Sequence, residues 1–501
     1  MKHTALVLLS LLIMTPFHLA AQTVGPRTGF FESFTDIGSP AIPGTASYEE
    51  PSQVYLMSAS GENIWFGEDH FSFLWKSMEG DFILQAELDF IGEGVNPHRK
   101  AGLMIRGGLS PDAPHVSCVI HGDGLTALQY RLSRGAEMEE IKFDLSGPAA
   151  IQLEKKGKRY TMSVAHPGEA YVSNSLELKM DEQLQAGLFL CSHDDAVTEQ
   201  ARFHNVRVFG TAPDTLQPYR DYIGSFLEII DPEEGKRHIL AVADGQMEAP
   251  NWTPDGKRLI YNSGGLLYAF ELAEEKHSLI PSGMARRNNN DHVISFDGKQ
   301  MAISHHSEDD GGRSVIYTIP AEGGDPKRVT ALSPSYLHGW SPDDRYLVYT
   351  AEREGAYNIF RIPSSGGEEE QLTHTPTLDD GPEYSPDGRY IYFNSCRTGT
   401  MQIWRMKADG SEQEQLTFDD YNDWFPHISP DGKQIVFISY MPDVAADNHP
   451  YYKQVYLRIM SVEDPKPRVL ARLYGGQGSI NVPSWSPDSR KLAFISNGIF
   501  K

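Results

Sequence analysis

One short phrase sets the period of the second half of this chain. It reads Thr253-Pro254-Asp255-Gly256, Ser295-Phe296-Asp297-Gly298, Ser341-Pro342-Asp343-Asp344, Ser385-Pro386-Asp387-Gly388, Ser429-Pro430-Asp431-Gly432 and Ser486-Pro487-Asp488-Ser489. The aspartates step by 42, 46, 44, 44 and 57 residues. One turn signature per period of this length predicts a ring of four-stranded sheets, a β-propeller. Within the phrase, Pro presets φ, Asp bonds its own backbone and Gly accepts a positive φ, so the aspartates are assigned to turns and not to chemistry. Residues 223–240 read as an outer hairpin without the phrase, and residues 482–496 supply an inner pair that then stops. Joined, they make a sixth blade in which N-terminal strands close the ring and remove its open edges.

Residues 27–210 lack this period but are β-like throughout, with short alternating or apolar runs between turn signals, such as 81–90, 101–106, 160–164 and 201–208. An antiparallel sandwich is the expected architecture, joined to the propeller at 220–501 by a Pro-containing linker at 211–219. A chain of 501 residues exceeds what one core usually supports, which agrees with two domains. The formal net charge of −24 argues against a nucleic-acid partner, because affinity for phosphate backbones is built on clustered Lys and Arg.

Met1-Lys2-His3, the apolar run 5–14 and Leu19-Ala20-Ala21 have the layout of a signal peptide over residues 1–21, too short to span a membrane. No cysteine follows that run, so the expectation is an exported, periplasmic or secreted protein that is not a lipoprotein. Only Cys118, Cys191 and Cys396 occur. Cys118 and Cys191 fall in apolar strand-like runs and read as buried free thiols in preference to a bridge.

The repeats resemble those of TolB-like (WD40-like) β-propellers: an inner strand ending in Trp-Ser-Pro-Asp, a second strand such as residues 390–395, a third such as 402–406, and a fourth ending Gln415-Leu416-Thr417. Residues 80–106 and 187–208 are similar to strands of concanavalin/laminin-G-like domains. The implied fold is all-β, a concanavalin-like jelly-roll sandwich followed by a six-bladed TolB-like propeller. Propellers of this type dock proteins, gate peptidases or form the catalytic body of oligogalacturonate lyase, so the resemblance does not select a function. No nucleophile elbow, Walker loop or zinc-finger spacing occurs.

Aligned on the turn, the blades expose exceptions. Three residues before the Ser/Thr stand Pro250, His292, His338, Pro382, Pro426 and Pro483; eight after the aspartate stand Ser263, His305, Ala351, Ser395, Ser439 and Ser496. Histidines therefore break the pattern in two neighbouring blades. His292, His305, His306 and His338 are the candidate metal ligands, for a divalent ion such as Mn, Zn, Ni or Fe, expected to converge at one mouth of the ring. Asn290, Asp291, Glu352, Asp379, Asp380, Glu383, His427, Gln477 and Asn481 are candidate substrate-binding residues at the same mouth. The long last step marks an insertion near 441–452, placing Tyr451 and Tyr452 as aromatic walls of the kind sugar sites use.

These features point to a carbohydrate-binding or carbohydrate-processing protein. If it is an enzyme, a lyase or hydrolase acting on an oligo- or polysaccharide is expected, with a lyase reaction on acidic oligosaccharides implied by the oligogalacturonate lyase resemblance. The sequence names no catalytic residue. The competing class is a non-enzymatic periplasmic module that docks a protein partner.

Overall fold

A computed structural model describes residues 28–500. The expected signal peptide lies outside the described residues. Among the described residues the structure is all-β, with no helix, and no helix is long and apolar enough to cross a membrane.

The N-terminal strands form two seven-stranded antiparallel sheets. One runs, edge to edge, from Ser33–Ile37 through Phe71–Met78, Leu184–Cys191, Lys100–Arg106, His115–His121 and Thr126–Arg131 to Glu139–Lys142. The other centres on Phe82–Ile91 beside Glu199–Gly210. Period-2 alternation sends Ala101, Leu103 and Ile105 of one sheet and Leu84, Ala86 and Leu88 of the other into a shared core, an arrangement that fits a β-sandwich. Cys118 lies in that core and Cys191 in a cluster with Phe71, Phe73 and Phe189; both are free thiols.

The remaining strands form the six blades. Five are consecutive four-stranded sheets beginning at Glu248–Trp252, Asn288–Ile294, Ser335–Trp340, Asp379–Tyr384 and Asn422–Ile428; they are numbered blades 1 to 5 here. Blade 6 is composite: Gly224–Ile230 pairs with Arg237–Ala243 on one side and with the C-terminal Leu492–Gly498 on the other. The bridge between Trp485 and Leu492 supplies its innermost rung.

The repeated phrase acts as a turn lock. In each copy the Ser or Thr hydroxyl donates to the aspartate at 2.6–2.8 Å. The aspartate accepts a backbone N–H two residues on, and the hydroxyl accepts the N–H that starts the second strand. Gly256, Gly298, Gly388 and Gly432 occupy positive φ; Asp344 and Ser489 take the same conformation at φ 58° and 60°. Neighbouring blades are tied through inner strands: the Trp340 indole donates to the Val293 carbonyl and that of Trp485 to His427.

The N-terminal sheets and the ring meet on blades 5 and 6. Glu228, fully buried in the first strand of the ring, binds Arg207 of the N-terminal sheets, Arg237 of the neighbouring strand and the hydroxyl of Ser496 in the C-terminal strand. Burial alone would raise the pKa of Glu228, but the two guanidiniums hold it down to about 2. Glu228→Gln leaves two buried arginines without a counter-charge, so unfolding in urea should show a loss of about 3–5 kcal/mol. A loss under about 1 kcal/mol would mean that this network does not hold the closure.

Candidate functional site

Every inner strand of blades 1 to 5 carries a β-bulge near its start. In blade 2, Asn288 pairs with His305 and His292 with Ile303, so three residues, Asn289–Asp291, stand opposite Ser304 alone. In blades 1, 4 and 5 the bulge places Ala249, Gly381 and Phe425 at positive φ, four residues before the Ser/Thr. A bulge re-aims side chains. Here the residue five before the Ser/Thr is Glu248, Asn290, Tyr336, Asp380, Trp424 and Asn481 in turn around the ring. All except Trp424 line one cavity of about 880 Å³ at the mouth.

That cavity also receives Asn262, Arg287, Asn289, Asp291, His306, His338, Tyr357 and Phe425 from the blades, Asp447, His449 and Tyr451 from the insertion, Gln477 from the approach to the last inner strand, and Tyr219 and Tyr222 from the linker. Asp380 is its electrostatic centre. One oxygen accepts the Gly381 N–H at 2.8 Å and lies 3.1 Å from His338 Nε2; the other lies 4.0 Å from His449 Nε2. Burial alone would raise the pKa of Asp380, but His338 and His449 bring it down to about 2. Burial would lower that of His338, yet the carboxylates of Asp380 and Asp291 raise it above the usual histidine value. His449, packed against Trp424 and Phe425, is shifted down by burial.

Two further carboxyls go the other way. Burial pushes Asp291 up to about 6 and Glu248 up to about 7. Asp291 takes a 2.6 Å hydrogen bond from the Asn289 amide. Glu248 is 4% exposed, and its Oε1 has no hydrogen-bond partner. Near neutral pH Asp380 is thus firmly ionised beside two carboxyls, Asp291 and Glu248, that carry or readily take a proton.

Of the expected site residues, Asn290, Asp291, His306, His338, Asp380, Tyr451, Gln477 and Asn481 come together in this cavity. The others do not. His292 is sealed between blades 1 and 2 with Nε2 on the Ile260 carbonyl, and burial lowers its pKa to about 4. It pairs with Ile303 and not with His305 because it lies past the bulge. His305 Nδ1 accepts the Arg287 N–H, and its ring packs edge-on against Tyr317. Glu383 and His427 bind each other at 2.6 Å, and Glu383 also accepts the Ile428 N–H, tying blade 4 to blade 5. Asp379 is buried against Arg397. Glu352 sits in the second strand of blade 3, paired with Tyr357 and outside the cavity lining. Tyr452 accepts the Ile223 N–H and stacks on Tyr474 at the domain junction.

Of the four expected metal ligands, His306 and His338 line the cavity while His292 and His305 do not, and among the described residues no group of three or more His, Cys, Asp or Glu side chains is arranged to hold a metal ion. These residues do not fit the expected metal site. Glu248, His449 and the linker tyrosines escaped the sequence reading, although Glu248 stands at a register position as regular as those that were compared.

The model of the TolB beta propeller domain matches residues 336–449. The uncharacterized protein Atu1656 of Agrobacterium fabrum is 44% identical over 272 residues, which is 54% of this chain and 92% of that relative. The chain belongs to the TolB-like β-propeller family. A solved structure described as putative TolB from Agrobacterium tumefaciens, also 44% identical, superposes with a TM-score of 0.53 and covers 55% of this chain and 99% of that one. The Tol-Pal system protein TolB of Francisella tularensis subsp. tularensis is 28% identical over 149 residues, 28% of this TolB-like chain and 34% of the relative. The match thus spans about a third of that relative's length.

The raised carboxyls make stability depend on pH with a definite sign. Glu248 has an ordinary value of 4.5 and a folded value of about 7. Its contribution is complete below pH 4.5 and is lost as pH rises through 7. Asp291 and Asp423, the latter also raised to about 7 by burial, act in the same direction. Glu248→Gln should accordingly gain about 1–3 kcal/mol over the wild type at pH 8 and little at pH 5, measured by urea denaturation. An equal gap at the two pH values would contradict this assignment.

Proposed function

We propose that this protein is exported and binds carbohydrate in the propeller-mouth cavity, with the N-terminal sheets forming a concanavalin-like domain beside it. The observation that carries the reading is the composition of the cavity wall: tyrosine rings alternate with the amides of Asn289, Asn290, Gln477 and Asn481 and the carboxyls of Glu248, Asp291 and Asp380. Aromatic faces suit sugar C–H groups, and convergent amides and carboxyls suit hydroxyls.

The charge balance refines the substrate class. Among the described residues, Glu248, Asp291, Asp380 and Asp447 line the cavity against one guanidinium, that of Arg287, whose side chain is 57% exposed. A uronate-rich chain would meet repulsion there, so a lyase reaction on acidic oligosaccharides is disfavoured relative to binding or hydrolysis of an uncharged or cationic one. Asp380 ionised beside Asp291, which readily takes a proton, supplies the base-and-acid pairing that glycoside hydrolysis needs. Docking of a protein partner is the second reading, favoured by the match to the Tol-Pal system protein TolB.

A panel of neutral, acidic and amino-bearing oligosaccharides, read by thermal shift, should give ligands from the neutral and amino-bearing members. Asp380→Asn should weaken their binding at least tenfold. Released reducing ends would report hydrolysis, and unsaturated-uronate absorbance would report a lyase. If no glycan binds the wild type, while a periplasmic protein docks at the mouth and is blocked by substitution of Asp380, the carbohydrate reading fails.

A further inference from the structure

One end of the cavity has a composition that the carbohydrate reading alone does not explain. Tyr219 and Tyr451 meet with ring centroids 5.1 Å apart at 79°, and Tyr222 meets Tyr451 at 5.9 Å and 87°. Tyr219 and Tyr222 each stand nearly perpendicular to Tyr451, and the three rings make walls of a box. Glu248 is beside them: its negative charge acts on Tyr219, Tyr222 and Tyr451 alike, and Tyr451 and Gln246 flank its carboxyl.

We propose that Tyr219, Tyr222, Tyr451 and Glu248 form an ammonium-binding subsite whose occupant is the amino group of an amino sugar. This deepens, and rests on, the carbohydrate reading of the same cavity.

Glu248 supplies the main argument. It is 4% exposed and leaves Oε1 without a hydrogen-bond partner. Gln246 and Tyr451 hydrogen-bond to its carboxyl, but the charge that acts on it is the like charge of Asp291 and not that of a cation. A buried carboxyl with one oxygen unpartnered and no counter-charge is costly to ionise unless a cation that also donates a hydrogen bond meets it. A primary ammonium answers both needs, since it offers three N–H donors and one positive charge. Aromatic faces add attraction for the same cation, the arrangement by which aromatic cages recognise ammonium groups.

Two structural details hold the box in place. Tyr219 adopts φ +64°, an unusual conformation for an aromatic residue, and remains 64% exposed. The turn around it is fastened by Asp221, whose N–H donates to the Gln217 carbonyl and whose carboxylate accepts the Gln217 N–H. Behind Glu248, Gly478 at φ +86° packs so closely that a Cβ there would come within 2.8 Å of the glutamate Cγ. The rest of the cavity selects what carries the amine. Asn290, Asp380, Gln477 and Asn481 are hydrogen-bonding partners suited to a hydroxylated ring and are not needed for a bare alkylammonium.

The test compares a glucosamine tetramer with its N-acetylated counterpart and with cellotetraose by calorimetry, on wild type, Glu248→Gln and Tyr219→Ala. A lysine-containing peptide and tetramethylammonium serve as non-sugar amines. The glucosamine tetramer should bind the wild type at least tenfold more tightly than either uncharged tetramer, and both variants should lose that preference while remaining folded by circular dichroism. Equal binding of the three tetramers, or a preference that survives Glu248→Gln, overturns the subsite and leaves the carbohydrate reading standing. Binding of the peptide or tetramethylammonium through Glu248, with no tetramer bound, overturns the amino-sugar occupant and the carbohydrate reading together. A preference that vanishes at physiological salt in wild type and variants alike reduces the effect to attraction by an acidic surface and also overturns the subsite.

Discussion

Glu228 is the point at which the architecture closes. Its carboxylate takes charge-assisted bonds from Arg207 in the last strand of the N-terminal sheets and from Arg237, and a hydroxyl bond from Ser496 in the C-terminal strand. Segments from the beginning and end of the propeller and from the other domain thus meet on one buried charge. Removal of Glu228 would strand two guanidiniums in a low-dielectric site. The strand of Glu228 pairs directly with Leu492–Gly498, so the same network sits at the closure of the ring. It also fixes the linker: Tyr474 and Tyr452 receive the N–H groups of Ala212 and Ile223 on either side of Tyr219 and Tyr222. The inter-domain contact therefore reaches the site through the two tyrosines it positions.

Within that ring the regular and the irregular parts of each blade have separate tasks. The turn lock is repeated with little variation because it terminates the inner strand at the end away from the cavity. The bulge at the other end breaks the ladder, and the residue it presents differs from blade to blade. A carboxyl, an amide, a phenol, a second carboxyl, an indole and a second amide follow one another around the mouth. A fixed scaffold with one variable position per blade is how a symmetric fold makes an asymmetric site.

This division explains what could be read from the sequence. The period, the composite sixth blade and its closure by N-terminal strands were all legible, because turn chemistry and strand alternation are local properties. Eight of the residues that line the cavity were legible as well, since polar residues at the starts of inner strands are not needed for packing. The histidine pattern misled for a geometric reason. His292 and His338 share a register position, but the wider bulge of blade 2 rotates His292 into the blade interface while His338 reaches the cavity. Asp379, Glu383 and His427 were indistinguishable in sequence from ligand-binding groups because burying the ends of a polar strand demands the same residue types. Arg397 satisfies the first, and the other two satisfy each other. Glu248 was hidden by the opposite effect: a lone acidic residue ahead of Ala-Pro looks like an exposed strand end until the linker tyrosines cover it.

The electrostatics of the mouth also bear on selection. The chain carries a formal charge of −24, so its surroundings favour cations generally, but a diffuse surface field falls off within about 10 Å at moderate salt. Discrimination must come from groups that salt does not screen. Asp380 is already neutralised by His338, and its low pKa records that satisfaction. Glu248 has no such partner, and its pKa of about 7 records the lack. Of the carboxyls in the cavity, the one whose charge is least compensated within the protein gains most from a ligand that brings a positive charge. The same burial that makes Glu248 costly to ionise in the empty cavity would strengthen its attraction for that ligand once bound.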